Sequence, residues 1–187
     1  MSQKRQLLID TALKLFYKNG INSIGINEIL KSSGVAKRTL YNHFESKDAL
    51  VLAALEQRHD NFMAWLEKKL VGTQSETDVI EAVFNALNGW FKGLEAELGD
   101  FRGCFFINTS AEFSDAECEI SQYCGYHKQE VRNLIQKYLG KDNPDLLDAI
   151  CIMQEGAITM AYMTGNCDEI TDKSIEILKK LKWPRGK

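Results

Sequence analysis

An all-helical chain is what this sequence predicts, and three observations carry the expectation. Only two prolines occur in 187 residues, Pro144 and Pro184, and neither interrupts an apolar periodic segment. Almost nothing therefore blocks helix formation by removing an N–H or crowding the preceding turn. Apolar residues recur with the period of an amphipathic helix along most of the chain. Helix punctuation (Asn19-Gly20, Gly34, Gly140, Asn143-Pro144) falls between those stretches.

The first stretch places Leu8, Ala12, Leu15 and Phe16 on one face and stops at Gly20, because glycine readily takes the left-handed conformation that ends a helix. A short helix over 26–33 follows, with Gly25 at its N-cap and Ile26, Ile29 and Leu30 on one face; Gly34 breaks it. The third spans about 36–44, and Ser46 caps a long fourth that reaches Leu70. A loop over 71–75 leads to a fifth, with Asp78 and Glu81 as its capping pair and Val79, Val83, Leu87, Trp90 and Phe91 on its apolar side. A short apolar helix covers about 104–113, and Ser114 with Glu117 forms the capping box of the next, which runs to Leu139. Asn143-Pro144 starts a helix over 143–164 that is apolar nearly all round, unlike a surface helix. Thr171 or Asp172 caps the last helix, over 171–182, before Trp183-Pro184, giving about nine helices in all.

Composition narrows the class. Hydrophobic residues at 44% and charged residues at 26% fit a soluble globular protein and exclude disorder. The longest unbroken apolar run is residues 49–55, far short of the roughly 20 that cross a bilayer. The N-terminus lacks the apolar core of a secretory signal, so a cytoplasmic protein with no membrane partner is expected. Five cysteines, an odd number without a CxxC pair, fit reduced thiols. Cys118-x5-Cys124-x2-His127 matches no strong zinc signature, and no cofactor is expected. The chain contains no GxSxG, HExxH, GxxxxGK[ST] or GxGxxG, so nothing supports an enzyme.

The net charge of −3 is unevenly spread: residues 1–47 carry +5 and the remainder −8. A basic head on an acidic body is what a polyanion-binding module joined to a different domain would show. Within that head, two short helices separated by a glycine-containing turn have the helix-turn-helix pattern. Stepping about 100° per residue along the second puts Leu40 and Phe44 on one side and Arg38, Thr39, Asn42 and His43 on the opposite arc. The apolar pair turns inward, and the polar arc carries donors suited to base edges and phosphates.

These residues resemble a family. Leu8, Ala12, Leu15, Phe16 and Gly20, then Ile26 and Ile29, then Gly34-Val35-Ala36-Lys37-Arg38-Thr39-Leu40-Tyr41-Asn42-His43-Phe44 with Ser46, Lys47 and Leu50, closely resemble the N-terminal domain of the tetracycline-repressor (TetR) family. The resemblance implies a DNA-binding domain over 1–47 and a helical ligand-binding and dimerisation domain over 48–187. Lys37 and Arg38 then open the recognition helix, Thr39, Tyr41, His43 and Lys47 touch the DNA backbone, and Asn42 reads a base. Ala36 departs from the capping Ser or Thr of many relatives and forgoes about 1 kcal/mol of cap stabilisation. Double-stranded DNA with a palindromic operator, a homodimer through the last two helices, and an unidentified small-molecule effector are the implied partners. Phe62, Trp90, Phe105, Asn108, Glu112, Tyr123, His127 and Met153 are the candidate effector residues, with Asn108 and Glu112 one turn apart on a shared face. The expected role is a ligand-responsive transcriptional repressor. A thiol-based redox-sensing regulator, using Cys118 or Cys124, and a helical protein-binding adaptor are the alternatives.

Overall fold

Caps and glycines set the helix boundaries seen in the computed structural model, which describes residues 2–181. The helices are α1 (Gln3–Asn19), α2 (Ile26–Ser33), α3 (Lys37–His43), α4 (Lys47–Leu70), α5 (Glu76–Phe91), α6 (Phe105–Glu112), α7 (Glu119–Leu139), α8 (Pro144–Thr164) and α9 (Cys167–Lys180). Among the described residues there is no strand, so the all-helical expectation holds. Gly20 ends α1 at φ 84°, its N–H bonded to the Phe16 carbonyl, and Gly34 ends α2 in the left-handed region at φ 69°. Ser46 Oγ accepts the Ala49 N–H at the start of α4, and Asn143 accepts that of Leu146 ahead of Pro144.

Three caps differ from the sequence expectation. The fifth helix is capped by Ser75, which accepts the Asp78 N–H, while the Asp78 carboxylate reaches back to the Gln74 N–H. Asp78 thus closes a cap instead of opening one, and these bonds hold its carboxyl below its ordinary value. Ser114 and Glu117 open no helix: Asp115 takes the Glu117 N–H in a turn, and α7 begins only at Glu119. Thr171 lies inside α9, where its hydroxyl donates back to the Cys167 carbonyl, and the helix starts four residues earlier than expected. Trp183, Pro184 and the expected helix end at Lys182 lie outside the described residues.

By packing, the chain divides into two compact units. Of the described residues, unit 1 comprises those up to Asp60 with Phe105–His127, and unit 2 comprises Asn61–Cys104 with those from Lys128 to Leu181. The first half of α4, all of α6 and the start of α7 thus go with the basic head in unit 1. In unit 1, Leu8, Ala12 and Phe16 of α1 meet Ile29 of α2 and Leu40 of α3, all essentially inaccessible to solvent. Each such large side chain stabilises the fold by about 1.5–3 kcal/mol through removal from water.

In unit 2, α5 packs on α8 and α9, and α8 on α9. Its core joins Val79, Val83, Phe84 and Leu87 to Leu146, Ile150 and Leu178. Trp65 and Trp90 stand edge to face with ring centroids 6.2 Å apart, and the Trp65 indole N–H donates to Glu95 at 2.8 Å. A buried indole thereby keeps its hydrogen bond. By length and overall apolarity α8 is suited to cross a bilayer, although it contains no long unbroken apolar run. Its inner residues, Leu146, Ile150, Ala157 and Ile158, are instead buried within unit 2.

Candidate nucleic-acid interface

The geometry of α3 begins with the turn before it. Gly34 reverses the chain, Ser33 Oγ accepts the Val35 N–H, and the buried Val35 anchors the turn in the head. Ala36 then stands at the N-cap with extended backbone and no side-chain cap, as its methyl group requires. With so weak a start, α3 depends on its buried side: Leu40 is fully inaccessible and Phe44 nearly so. The Arg5 guanidinium lies 5.1 Å over the Phe44 ring.

The opposite side is open. Lys37, Arg38, Tyr41 and Asn42 are exposed, and Thr39 and His43 are half-buried at its edges. Tyr41 is 46% exposed with the Lys37 ammonium 6.0 Å from its ring centre, so it is not core packing. Six of the seven residues expected to meet DNA thus share one short helix, two turns long. Lys47, the seventh, is half-buried, and its Nζ donates to the Ile21 carbonyl at 2.7 Å.

The candidate effector residues are distributed over both units. Phe62 and Trp90 meet in unit 2, centroids 5.8 Å apart, inside its aromatic core. Met153 lies elsewhere in that unit, lining a groove of about 550 Å³ between α8 and α9 together with Ile152, Gly156, Met160, Ile170 and Ile177. In unit 1, the Phe105 and Tyr17 rings stand edge to face, and His127 is buried with Phe106 stacked on it at 3.5 Å. His59 approaches His127 with the two Nδ1 atoms 3.0 Å apart, and Tyr123 flanks His59. Burial, with the nearby charges of Glu56 and Asp60, pushes the Tyr123 phenol up to about 12, so it stays neutral at physiological pH. Asn108 is exposed, whereas Glu112 turns its carboxylate to the α1–α2 turn.

Two features escaped sequence reasoning. Phe106 and His59 complete the His127 cluster, but His59 is 68 residues away in the chain and no local pattern pairs them. Among the thiols, Cys124 is buried and Cys118 half-buried. Cys104 in unit 2, itself buried, meets a cation, with Lys128 Nζ at 3.2 Å and Glu155 on the same ammonium at 2.7 Å. Burial opposes the Lys128 charge, but the Cys104 sulfur and the Glu155 carboxylate outweigh it and hold the amine above its ordinary value.

Comparison with known proteins bears on the same residues. Residues 8–54 match the family model described as bacterial regulatory proteins, tetR family. The chain is 30% identical over 179 residues to the HTH-type transcriptional repressor NemR of Escherichia coli, covering 94% of this chain and 88% of NemR. The uncharacterised HTH-type regulator YuxN of Bacillus subtilis is 40% identical over 78 residues, 41% of this chain, and the match spans only 27% of that protein's length. In fold, the chain is similar to SCO4454, a TetR-family regulator of Streptomyces coelicolor, with TM-score 0.83 at 24% identity over 95% of this chain and 87% of that one.

Proposed function

The chain belongs to the tetracycline-repressor (TetR) family of DNA-binding transcriptional regulators, which are not enzymes, and on that premise we propose that it is a homodimeric, cytoplasmic repressor released from a palindromic operator by a small molecule. The observation that carries this reading is the open polar side of α3, set by a buried Leu40 and Phe44. Asn42 is assigned to base reading, since its amide pairs bidentately with adenine. Lys37 and Arg38 meet base edges or phosphates, and Thr39, Tyr41, His43 and Lys47 hold the backbone.

One such helix touches too little DNA to be selective, whereas a twofold pair presents two of them about 34–36 Å apart, one duplex turn. The exposed apolar side of α8 and α9 supports that pairing: Ile152 and Met163 are nearly three-quarters exposed, and Tyr162 and Ile177 about half. The aromatic surroundings of His127 in unit 1 and of Trp90 in unit 2 suit an apolar effector with few polar anchors. Such a ligand shifts the DNA-bound population only by its differential affinity for the two states. Repression is the family's usual mode and NemR is named as a repressor.

The test is selection of duplexes from a random pool by the purified chain, followed by anisotropy titration and sedimentation. The expected result is a palindrome with half-sites one turn apart, bound by a dimer. A chain that stays monomeric, or binds all sequences alike, overturns the reading. Failure to shift DNA even at low salt favours the adaptor.

A second reading, a thiol-responsive regulator, is favoured by the Cys104–Lys128 contact instead of by Cys118 or Cys124. A neighbouring ammonium is the setting in which cysteine modification becomes site-selective. Burial pushes the Cys151 thiol up against the opposing effect of Arg132, which leaves it less reactive. Mass spectrometry after brief peroxide treatment, paired with DNA titration, tests it: oxidation confined to Cys104 with lost binding supports the reading, and unchanged binding removes it.

A further inference from the structure

The turn between α1 and α2, residues 20–22, is gripped from two sides. Glu112, the last residue of α6, places one carboxylate oxygen 2.9 Å from the Ile21 N–H and the other 2.7 Å from the Asn22 N–H. Lys47, the first residue of α4, donates to the Ile21 carbonyl at 2.7 Å. A single residue, Ile21, thus has its N–H held from α6 and its C=O held from α4, while its side chain is buried in the head. Hydrogen bonds to an ionised carboxylate are about twice as strong as neutral ones, and two on adjacent amides fix direction as well as distance.

The neighbouring residues fit this grip. Gly20 has a positive φ of 84°, and a Cβ built on it would stand 3.2 Å from the nearer Glu112 oxygen. Glycine suits the positive φ there, and a side chain would crowd the carboxylate. At the other end of α6, the Phe105 ring stands edge to face with Tyr17, three residues before Gly20. The helix is seated against the end of α1 at both its termini. Since α1 packs on α2 and α3, the turn determines how the recognition helix is presented.

We infer that Glu112 is a positioning residue for DNA recognition: through the Ile21 and Asn22 amides it holds the turn that orients α2 and α3, and with Lys47 it clamps Ile21 from both sides. The inference rests on α3 being the DNA-reading helix. Both carboxylate oxygens of Glu112 are engaged by amides, which directs this residue to the head and away from effector contact. A hydrogen bond weakens once stretched beyond its ordinary range, so the turn holds its place only while Glu112 stays seated on both amides. By linkage, DNA bound to the head tightens the clamp by the same factor with which the clamp tightens DNA.

The experiment uses the full chain and a duplex selected from a random pool by the wild-type protein. Glu112→Ala is expected to lower affinity about 10-fold while leaving the slope of log K against log salt unchanged, since Glu112 neutralises no phosphate. Amide exchange at Ile21 and Asn22 accelerates in that variant, with Ile29 in the head core unchanged. Glu112→Gln keeps one acceptor and should fall between, which separates positioning from misfolding. In a double-mutant cycle, Lys47→Ala and Glu112→Ala are expected to be non-additive, because both act on Ile21. Wild-type affinity in Glu112→Ala, an altered salt slope, or persistent protection of both amides overturns the inference. If the wild-type chain binds no duplex, the DNA reading fails, and the exchange measurement still decides whether the clamp exists.

Discussion

The short helix α3 and the long helix α8 each bury one side and leave the other open, but their open sides are chemical opposites. On α3 the uncovered residues are Lys37, Arg38, Tyr41 and Asn42; on α8 they include Ile152, Met160, Tyr162 and Met163. A polar open side loses little by facing water and gains when it meets a polyanion. An apolar one is costly to leave wet, and an exposed patch of this kind marks an association surface. On the proposed function, the open side of α3 meets DNA transiently and that of α8 meets a second copy of the chain lastingly.

The sharpest way to break that contrast is to charge the apolar side. Ile152→Glu with Met163→Glu should yield a monomer by light scattering and lower operator affinity about 100- to 10 000-fold, through loss of the bivalent advantage. A double variant that remains dimeric and binds normally would remove the contrast altogether. Next in size is the buried side of α3: Leu40→Ala should destabilise the head by about 2–5 kcal/mol. Thermal melting followed by the fluorescence of Trp65 and Trp90, which belong to unit 2, should register less of that loss than amide exchange in the head does.

Smaller effects sharpen the picture on the open side. Asn42→Ala should cost about 1–3 kcal/mol per half-site and relax preference at one base position, read by titrating single-base operator variants. Lys37→Ala should weaken all sequences alike and flatten the salt slope by roughly 0.9 per half-site if it holds one phosphate. Equal behaviour of the two variants would merge roles that are separated here.

The smallest effect concerns pH on α9. Glu176 bonds to Lys173 and Lys180, which together bring its carboxyl down to about 2. A carboxylate depressed in the folded state contributes stability that is complete above its unfolded value near 4.5 and is lost as pH falls towards 2. Glu176 is solvent-facing, so water and salt screen most of that contribution. Glu176→Gln should flatten the acid limb of the melting profile slightly and leave the neutral range unchanged.

What was legible in the sequence was local. Gly20, Gly34 and Asn143-Pro144 act through their own backbone geometry, and the structure ends or starts helices at each of them. The arc of α3 followed from helical period alone, because Leu40 and Phe44 are one turn apart. The misread caps failed for a physical reason: Ser, Thr and Asp bond to backbone in several ways. Ser75 and Asp78 form a reciprocal cap one register earlier than expected, and Thr171 satisfies itself inside a helix. Tertiary pairing was illegible. The Glu112 carboxylate meets amides 90 and 91 residues earlier, and Lys128 meets Cys104 across 24 residues; nothing in periodicity or composition announces either.

Gly156 lines the α8–α9 groove at mid-helix, with open space where its side chain would stand. Glycine there weakens an isolated helix by about 1 kcal/mol relative to alanine, yet it bares backbone where a second helix can come closer than the usual 8–10 Å between axes. In a homodimer, folding and pairing become one equilibrium at this point. The melting temperature then climbs with protein concentration, and dilution alone acts as a denaturant.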